Sequence, residues 1–327
     1  MTVLSAEALP PAAFAPRPSP LALLFLLLAV ACSLGIAVIF KLAERRDYDR
    51  TALLTVNYAA AAVLALVLVG AEPPGALDAG LVLLGIAEGV LFIVGFWLFS
   101  LAIREAGMGI AAGVMRLSVV VPVLVSWAVW REVPTALQLV GLALGGVAFF
   151  LIARPAAEAP GKLGPPADAD GAADGPADGL ADGTSGAAVL VLAALFVCGG
   201  LVDVCLKAFD TGYGDAVPAS TFLLFVFGVA FALGLAVVLR QGLSGGGWPS
   251  RAVVVWGVVL GVVNYGSADF ILRAVSSLSG PVVFPVNSVS IVLGAALIGR
   301  FVWGERFTRA NVAGLGVAAV ALACLTA

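Results

Sequence analysis

The sequence predicts an all-α integral membrane protein of ten transmembrane helices, arranged as two inverted five-helix repeats. Three observations predict it. Of the 327 residues, 62% are hydrophobic and only 11% charged, and the mean hydropathy of +1.12 lies far above that of a soluble domain. Apolar runs of spanning length recur along the chain, each bounded by charge, proline or glycine. One polar segment near the middle divides those runs into two sets of five.

A spanning helix takes ~20 apolar residues, and such runs fall at 21–40, 51–71, 80–103, 107–130, 135–153, 187–207, 217–240, 252–275, 280–303 and 308–326. Helices are the economical choice, because lipid offers no partner to an unpaired backbone group and a membrane barrel would show short alternating strands instead. Residues 1–20, with five prolines and neither the charged start nor the apolar middle of a secretion signal, read as a disordered tail. Residues 154–186 repeat Ala-Asp-Gly from Ala169, Ala173, Ala177 and Ala181. Such an acidic, glycine-rich stretch buries too little apolar surface to offset chain entropy and reads as a flexible linker; the ligand spacing of a calcium loop is missing. The repeats are then 21–153 and 187–327.

Composition excludes several functions. Lys and Arg number 17 against 20 Asp and Glu, so nothing favours nucleic acid. The absence of histidine removes the zinc and haem sites that need it. Cys32, Cys198, Cys205 and Cys324 all lie in apolar runs, where small apolar packing is their usual role. No phosphate-binding Gly-x-x-x-x-Gly-Lys-Ser/Thr loop occurs. The expected partners are a small-molecule substrate and the lipid bilayer, with no cofactor and no required homo-oligomer.

The two sets of runs repeat one another. Trp130, Glu132, Thr135 and Gly141 match Trp303, Glu305, Thr308 and Gly314 at one constant offset. Gly85 and Gly89 match Gly257 and Gly261 at a slightly smaller offset, and Cys32, Lys41 and Glu44 match Cys198, Lys207 and Asp210 at a smaller one again. The second and seventh spans do not align securely. An odd number of spans per unit makes the second copy enter the membrane from the opposite side. Basic residues agree: Lys41, Arg45, Arg46, Arg50, Arg240, Arg251, Arg300, Arg306 and Arg309 share one side with Arg104, Arg154 and Lys162, leaving Arg17, Arg131, Lys207 and Arg273 on the other. The positive-inside rule then predicts a cell-membrane protein with both termini outside the cytoplasm.

With these two copies, the hairpins Trp130-Arg131-Glu132-Val133-Pro134-Thr135 and Trp303-Gly304-Glu305-Arg306-Phe307-Thr308 resemble EamA-type members of the drug/metabolite transporter superfamily. In that family a glutamate ends the fourth helix of each copy, a Thr or Ser follows, and a glycine opens the next helix. The resemblance covers 21–153 and 187–326. It implies a ten-helix inverted-repeat carrier that moves a small metabolite through a central cavity by alternating access; family substrates are diverse, so it implies no particular one.

Ionisable and polar residues inside a span are costly unless they face other helices or water, which makes them the candidates for function. Arg116 lies near the middle of the fourth span, where insertion scales charge about 2.5–3.5 kcal/mol. Two roles fit it: a guanidinium clamp for a carboxylate or phosphate of the substrate, or a structural ion pair with Glu88 of the third span. Glu88 shares a helix face with Gly85, Gly89 and Phe92 and is either a proton-coupling carboxylate or a silent partner of Arg116. Asn57 and Tyr58 in the second span, and Asn264 and Tyr265 in the eighth, are substrate-binding candidates, the alternative for the amides being hydrogen bonds across helices and for the tyrosines an interfacial seat. Asp269 is a coupling candidate that also stands four residues before Arg273, where a helical ion pair forms. Asn287 and Ser290 lie on one face of the ninth span with Gly294. Pro122 and Pro285 each remove a backbone donor and mark either gating bends or tolerated kinks. Lys41 and Lys207 are expected to snorkel to the interface.

Two rival functions stand beside transport. Gly212-Tyr213-Gly214-Asp215 spells the motif of an intramembrane aspartyl protease, but it falls in a polar loop with no second aspartate in a matching context. A scaffold or receptor would not need charges at mid-membrane. The chain is therefore not expected to be an enzyme, and a secondary transporter of a small polar or amphipathic metabolite, open to proton coupling, is the function the sequence favours.

Overall fold

A computed structural model describes residues 19–71, 75, 77–153, 186–244, 248–304 and 306–327, with Met108 and Gly109 in backbone alone. The expected tail (apart from its last two residues), the linker up to 185, and Glu305 lie outside the described residues. Those described form eleven α-helices and no strand: α1 (Pro20–Arg45), α2 (Arg50–Ala71), α3 (Ala79–Ala106), α4 (Met108–Leu117), α5 (Val120–Trp130), α6 (Ala136–Ile152), α7 (Gly186–Tyr213), α8 (Ala219–Leu243), α9 (Arg251–Val275), α10 (Gly280–Phe301) and α11 (Arg309–Thr326). Among these residues nine helices are long and apolar enough to cross a membrane, α4 and α5 counted as one, and α6 is a shorter apolar helix. Large apolar side chains such as Leu27, Trp97 and Phe301 are exposed around the outside, as a lipid-facing surface requires.

The helices begin where the sequence supplies caps. The Ser19 hydroxyl accepts the Ala22 N–H at 3.1 Å ahead of Pro20, and the Asp78 carboxylate accepts the Leu81 N–H at 2.7 Å, each satisfying an orphan donor of the first turn. Thr135 with Gln138, and Thr308 with Asn311, form reciprocal capping boxes at matched positions of the two halves. Arg131 and Gly304, also matched, both adopt the left-handed conformation, at φ 58° and 70°. Only the glycine does so without a Cβ penalty.

One expected span is not continuous. The fourth breaks at Ser118–Val119 into α4 and α5, because the Pro122 ring collides with the carbonyl four residues earlier, that of Ser118, and donates nothing to it. Pro285 by contrast sits buried inside an unbroken α10. The helices also outrun several expected ends, α1 reaching Arg45 and α7 reaching Tyr213.

Packing follows a paired pattern. Helix α2 lies against α8 and α6 against α11, while α1 on α9 is matched by α7 on α3, and α2 on α9 by α8 on α3. The glycines explain the close approaches. A Cβ on Gly85 would meet the Phe225 Cβ at 2.6 Å and one on Gly89 the Val226 carbonyl at 2.6 Å; on Gly257 it would meet the Val56 Cβ at 2.6 Å and on Gly261 the Asn57 carbonyl at 2.5 Å. The partners on α2 and α8 stand in one register, which supplies the alignment of second and seventh spans that residue identities do not give.

Candidate functional site

A cavity of ≈ 700 Å³ opens between the halves, walled by α1, α2, α3, α4, α7, α9 and α10. Its size falls within the usual range for small-molecule sites. Arg116 lines it from the last turn of α4, where the carbonyl end of the helix dipole favours a cation. The Ser118 hydroxyl donates to the Met115 carbonyl at 2.6 Å and ties off that turn. The broken helix thus places a helix terminus, rather than a helix middle, beneath the guanidinium.

The charge facing Arg116 is Asp203 of α7, which also lines the cavity. Asp203 is a site residue the sequence reading does not single out. A span ending at 207 leaves it near a helix end, whereas α7 runs on to Tyr213 and holds it well inside; the rule that marks Glu88, an intramembrane carboxylate, marks Asp203 equally. The Arg116–Glu88 ion pair is corrected accordingly. Glu88 is 0% exposed, neither of its carboxylate oxygens has a hydrogen-bond partner among the described residues, and it feels the charge of Asp203. Its helical neighbours Leu91 and Phe92 reach the cavity wall while Glu88 lies behind it. The charged centre is not duplicated: by the repeat offsets Glu88, Arg116 and Asp203 correspond to Leu260, Val289 and Ala37.

The other candidates separate into two groups. Asn57, Tyr58, Asn264 and Asn287 line the cavity, as does Ser288, beside an aromatic wall of Phe92, Phe96 and Phe99. The Tyr58 ring packs against Phe92 and Phe227, with centroids 6.3 and 6.4 Å away. The Tyr265 ring lies tilted against Phe227 at 6.2 Å without belonging to the lining, and Ser290 is likewise outside it. Asp269 is held by Arg273 in a two-pronged pair at 2.6 and 3.1 Å, the i,i+4 arrangement. Pro285 abuts a small void of ≈ 40 Å³ that Arg116 also borders, while Pro122 is buried at the helix break. The Gly212–Asp215 motif falls on the last turn of α7 and the turn after it.

The two matched lysines differ. Lys41 lines the cavity near its Glu44 and Arg50 end and stands 5.1 Å above the Trp303 ring, beside Arg45 at 4.3 Å. Lys207 does not snorkel: it is 6% exposed and ion-paired with Glu132 at 3.0 Å. Its partner is distant in sequence, so composition around Lys207 does not reveal it.

Residues 20–154 match the EamA-like transporter family. An uncharacterized protein of Haemophilus influenzae is 23% identical over 309 residues, covering 92% of this chain and 96% of its own length. A protein solved by crystallography superposes with a TM-score of 0.68 at 15% identity, over 93% of this chain and 95% of that one, a likeness of fold. The apolar helices mark a multi-pass membrane protein, of which residues 20–154 are similar to a transporter family.

Proposed function

We propose that both halves of the chain together form an EamA-type secondary carrier, which moves a small polar or amphipathic metabolite bearing an anionic group by alternating access. The observation that carries this reading is the ≈ 700 Å³ cavity in which Arg116 stands among amide and aromatic side chains. A guanidinium at a helix terminus is suited to bind a carboxylate or phosphate through two donors, and the phenylalanine wall suits an apolar body. The mirrored glycine contacts of α2 with α9 and α8 with α3 support an inverted repeat, the architecture in which two halves rock around a site at mid-bilayer. The cavity reaches the Lys41 end and not the Lys207 end; with the basic residues of the first loop on the cytoplasmic side, this is the inward-facing arrangement, with both termini outside the cytoplasm. Glu88, buried behind the wall without a hydrogen-bond partner among the described residues, is the proton-coupling candidate.

Flux of amino acids, organic acids and nucleosides into proteoliposomes, with and without a pH step, tests the reading. Saturable transport of an anionic substrate is expected, lost in Arg116→Ala. Unchanged transport in that variant overturns the clamp, and a flux indifferent to the pH step removes proton coupling. A C-terminal fluorescent protein that glows strongly in the cytoplasm overturns the orientation.

A further inference from the structure

At the end of the bundle opposite the cavity mouth, one carboxylate bridges two helices of the other half. Glu132 stands just past α5, in the hairpin turned by Arg131, with its backbone N–H donating to the Ser126 carbonyl at 3.1 Å. One of its side-chain oxygens lies 3.0 Å from the Lys207 ammonium on α7. The other accepts the N–H of Gly280, the first residue of α10, at 2.6 Å. Asp210 approaches the same ammonium at 3.4 Å, and the Lys207 side chain is only 7% exposed. A residue of the first half is thereby tied to two helices of the second, at a place shielded from water where a charge left without its partner is costly. At the other end the same helix position is occupied by Lys41, which, with Glu44 as the match of Asp210, lines the open cavity.

We propose that the Glu132–Lys207 pair, anchored on the start of α10, is the gate that closes the cavity at the Lys207 end and that must part before the cavity opens there. This rests on the carrier reading and adds the residues that hold one of its states. A purely structural ion pair in the same place would brace the bundle without setting which end is open.

Native Cys198 is 5% exposed with its thiol on the Leu91 carbonyl at 3.5 Å, so a Ser288→Cys reporter, at a half-buried position of the cavity wall, reads the difference in the full-length protein. Vesicles of each orientation are treated with a membrane-impermeant maleimide on one face, and modification at position 288 is read by mass spectrometry, with the chain lacking the reporter as control. In the otherwise wild-type chain the reporter thiol is expected to react chiefly from the Lys41 end. In Glu132→Gln, and in Lys207→Met, reaction from the Lys207 end rises roughly tenfold while reaction from the Lys41 end falls, as a two-state shift demands; Lys207→Arg retains the wild-type pattern. Reactivity that does not change, or that rises from both ends together, overturns the gate. Flux measured on the same vesicles separates the two ideas: unmoved labelling with wild-type transport intact defeats the gate alone, whereas no wild-type transport over the substrate panel defeats the carrier reading and the gate with it.

Discussion

Replacing Gly261 by alanine tests the packing that brings the two halves together. A Cβ there would lie 2.5 Å from the Asn57 carbonyl oxygen, 2.7 Å from the Ala60 Cβ and 3.2 Å from the Ala61 nitrogen. Two of these atoms are backbone and cannot rotate aside, so α9 and α2 must separate. Overpacking of this kind costs about 3 kcal/mol at the upper end of its range, and the better helix propensity of alanine returns about 1 kcal/mol. The net loss is about 2 kcal/mol, or roughly 3 °C in melting temperature for a chain of this size, at about 2.1 cal/mol/K of unfolding entropy per residue. Gly228→Ala on α8 is the matched control: nothing lies within 4 Å of its added Cβ, so the propensity gain of up to about 1 kcal/mol stands alone. Gly89→Ala, whose Cβ would meet the Val226 carbonyl at 2.6 Å and the Val229 Cβ at 2.8 Å, is expected to behave like Gly261→Ala. Thermal unfolding of the detergent-purified variants measures all three. If Gly261→Ala melts at or above wild type, or if Gly228→Ala falls as far, close helix approach is not what those glycines provide.

Further outcomes follow from single sites. Arg131→Gly relieves a left-handed residue and is expected to raise stability by about 1 kcal/mol, read as a higher melting temperature; a lower one would mean the Arg131 side chain matters more than its backbone. Thr308→Ala removes a capping box and is expected to cost about 1 kcal/mol in the same measurement, an unchanged melt refuting it. Asp203→Asn takes away the charge facing Arg116 and is expected to change the apparent substrate affinity at least several-fold in vesicle flux while Asp269→Asn, whose partner is Arg273, leaves it within twofold; equal effects of the two would deny Asp203 a place in the site.

Hydropathy made the spans legible, because each helix must present about 20 apolar residues to lipid. Helix ends were less so: α7 continues past Lys207 through Ala208-Phe209-Asp210 to Tyr213, polar residues there being sheltered by protein rather than ending the helix. That overrun is why Glu88 could be singled out and Asp203 not. The break after Leu117 was implicit in Pro122, but a proline announces a lost hydrogen bond, not whether the helix bends or parts; Pro285 in α10 did not part its helix. The second and seventh spans resisted alignment because what they share is a surface accessible to glycine. Leu53, Val56 and Ala60 do on one side what Phe222, Phe225 and Val229 do on the other, and backbone approach leaves no identity to read. Lys207 looked like an interfacial lysine because its counter-charge, Glu132, is supplied by the other half of the chain.

The lone set of charges at Glu88, Arg116 and Asp203, set against Leu260, Val289 and Ala37, has a thermodynamic corollary. In a machine of two interchangeable halves, swapping their roles would turn one orientation into the other, and the unloaded protein would divide its time evenly between them. Here the mirrored positions carry no charge to exchange with, so the solvation of these ionic groups differs between the two orientations. For the carrier proposed above, the unloaded population is therefore skewed, and substrate meets unequal binding strengths from the two sides of the membrane.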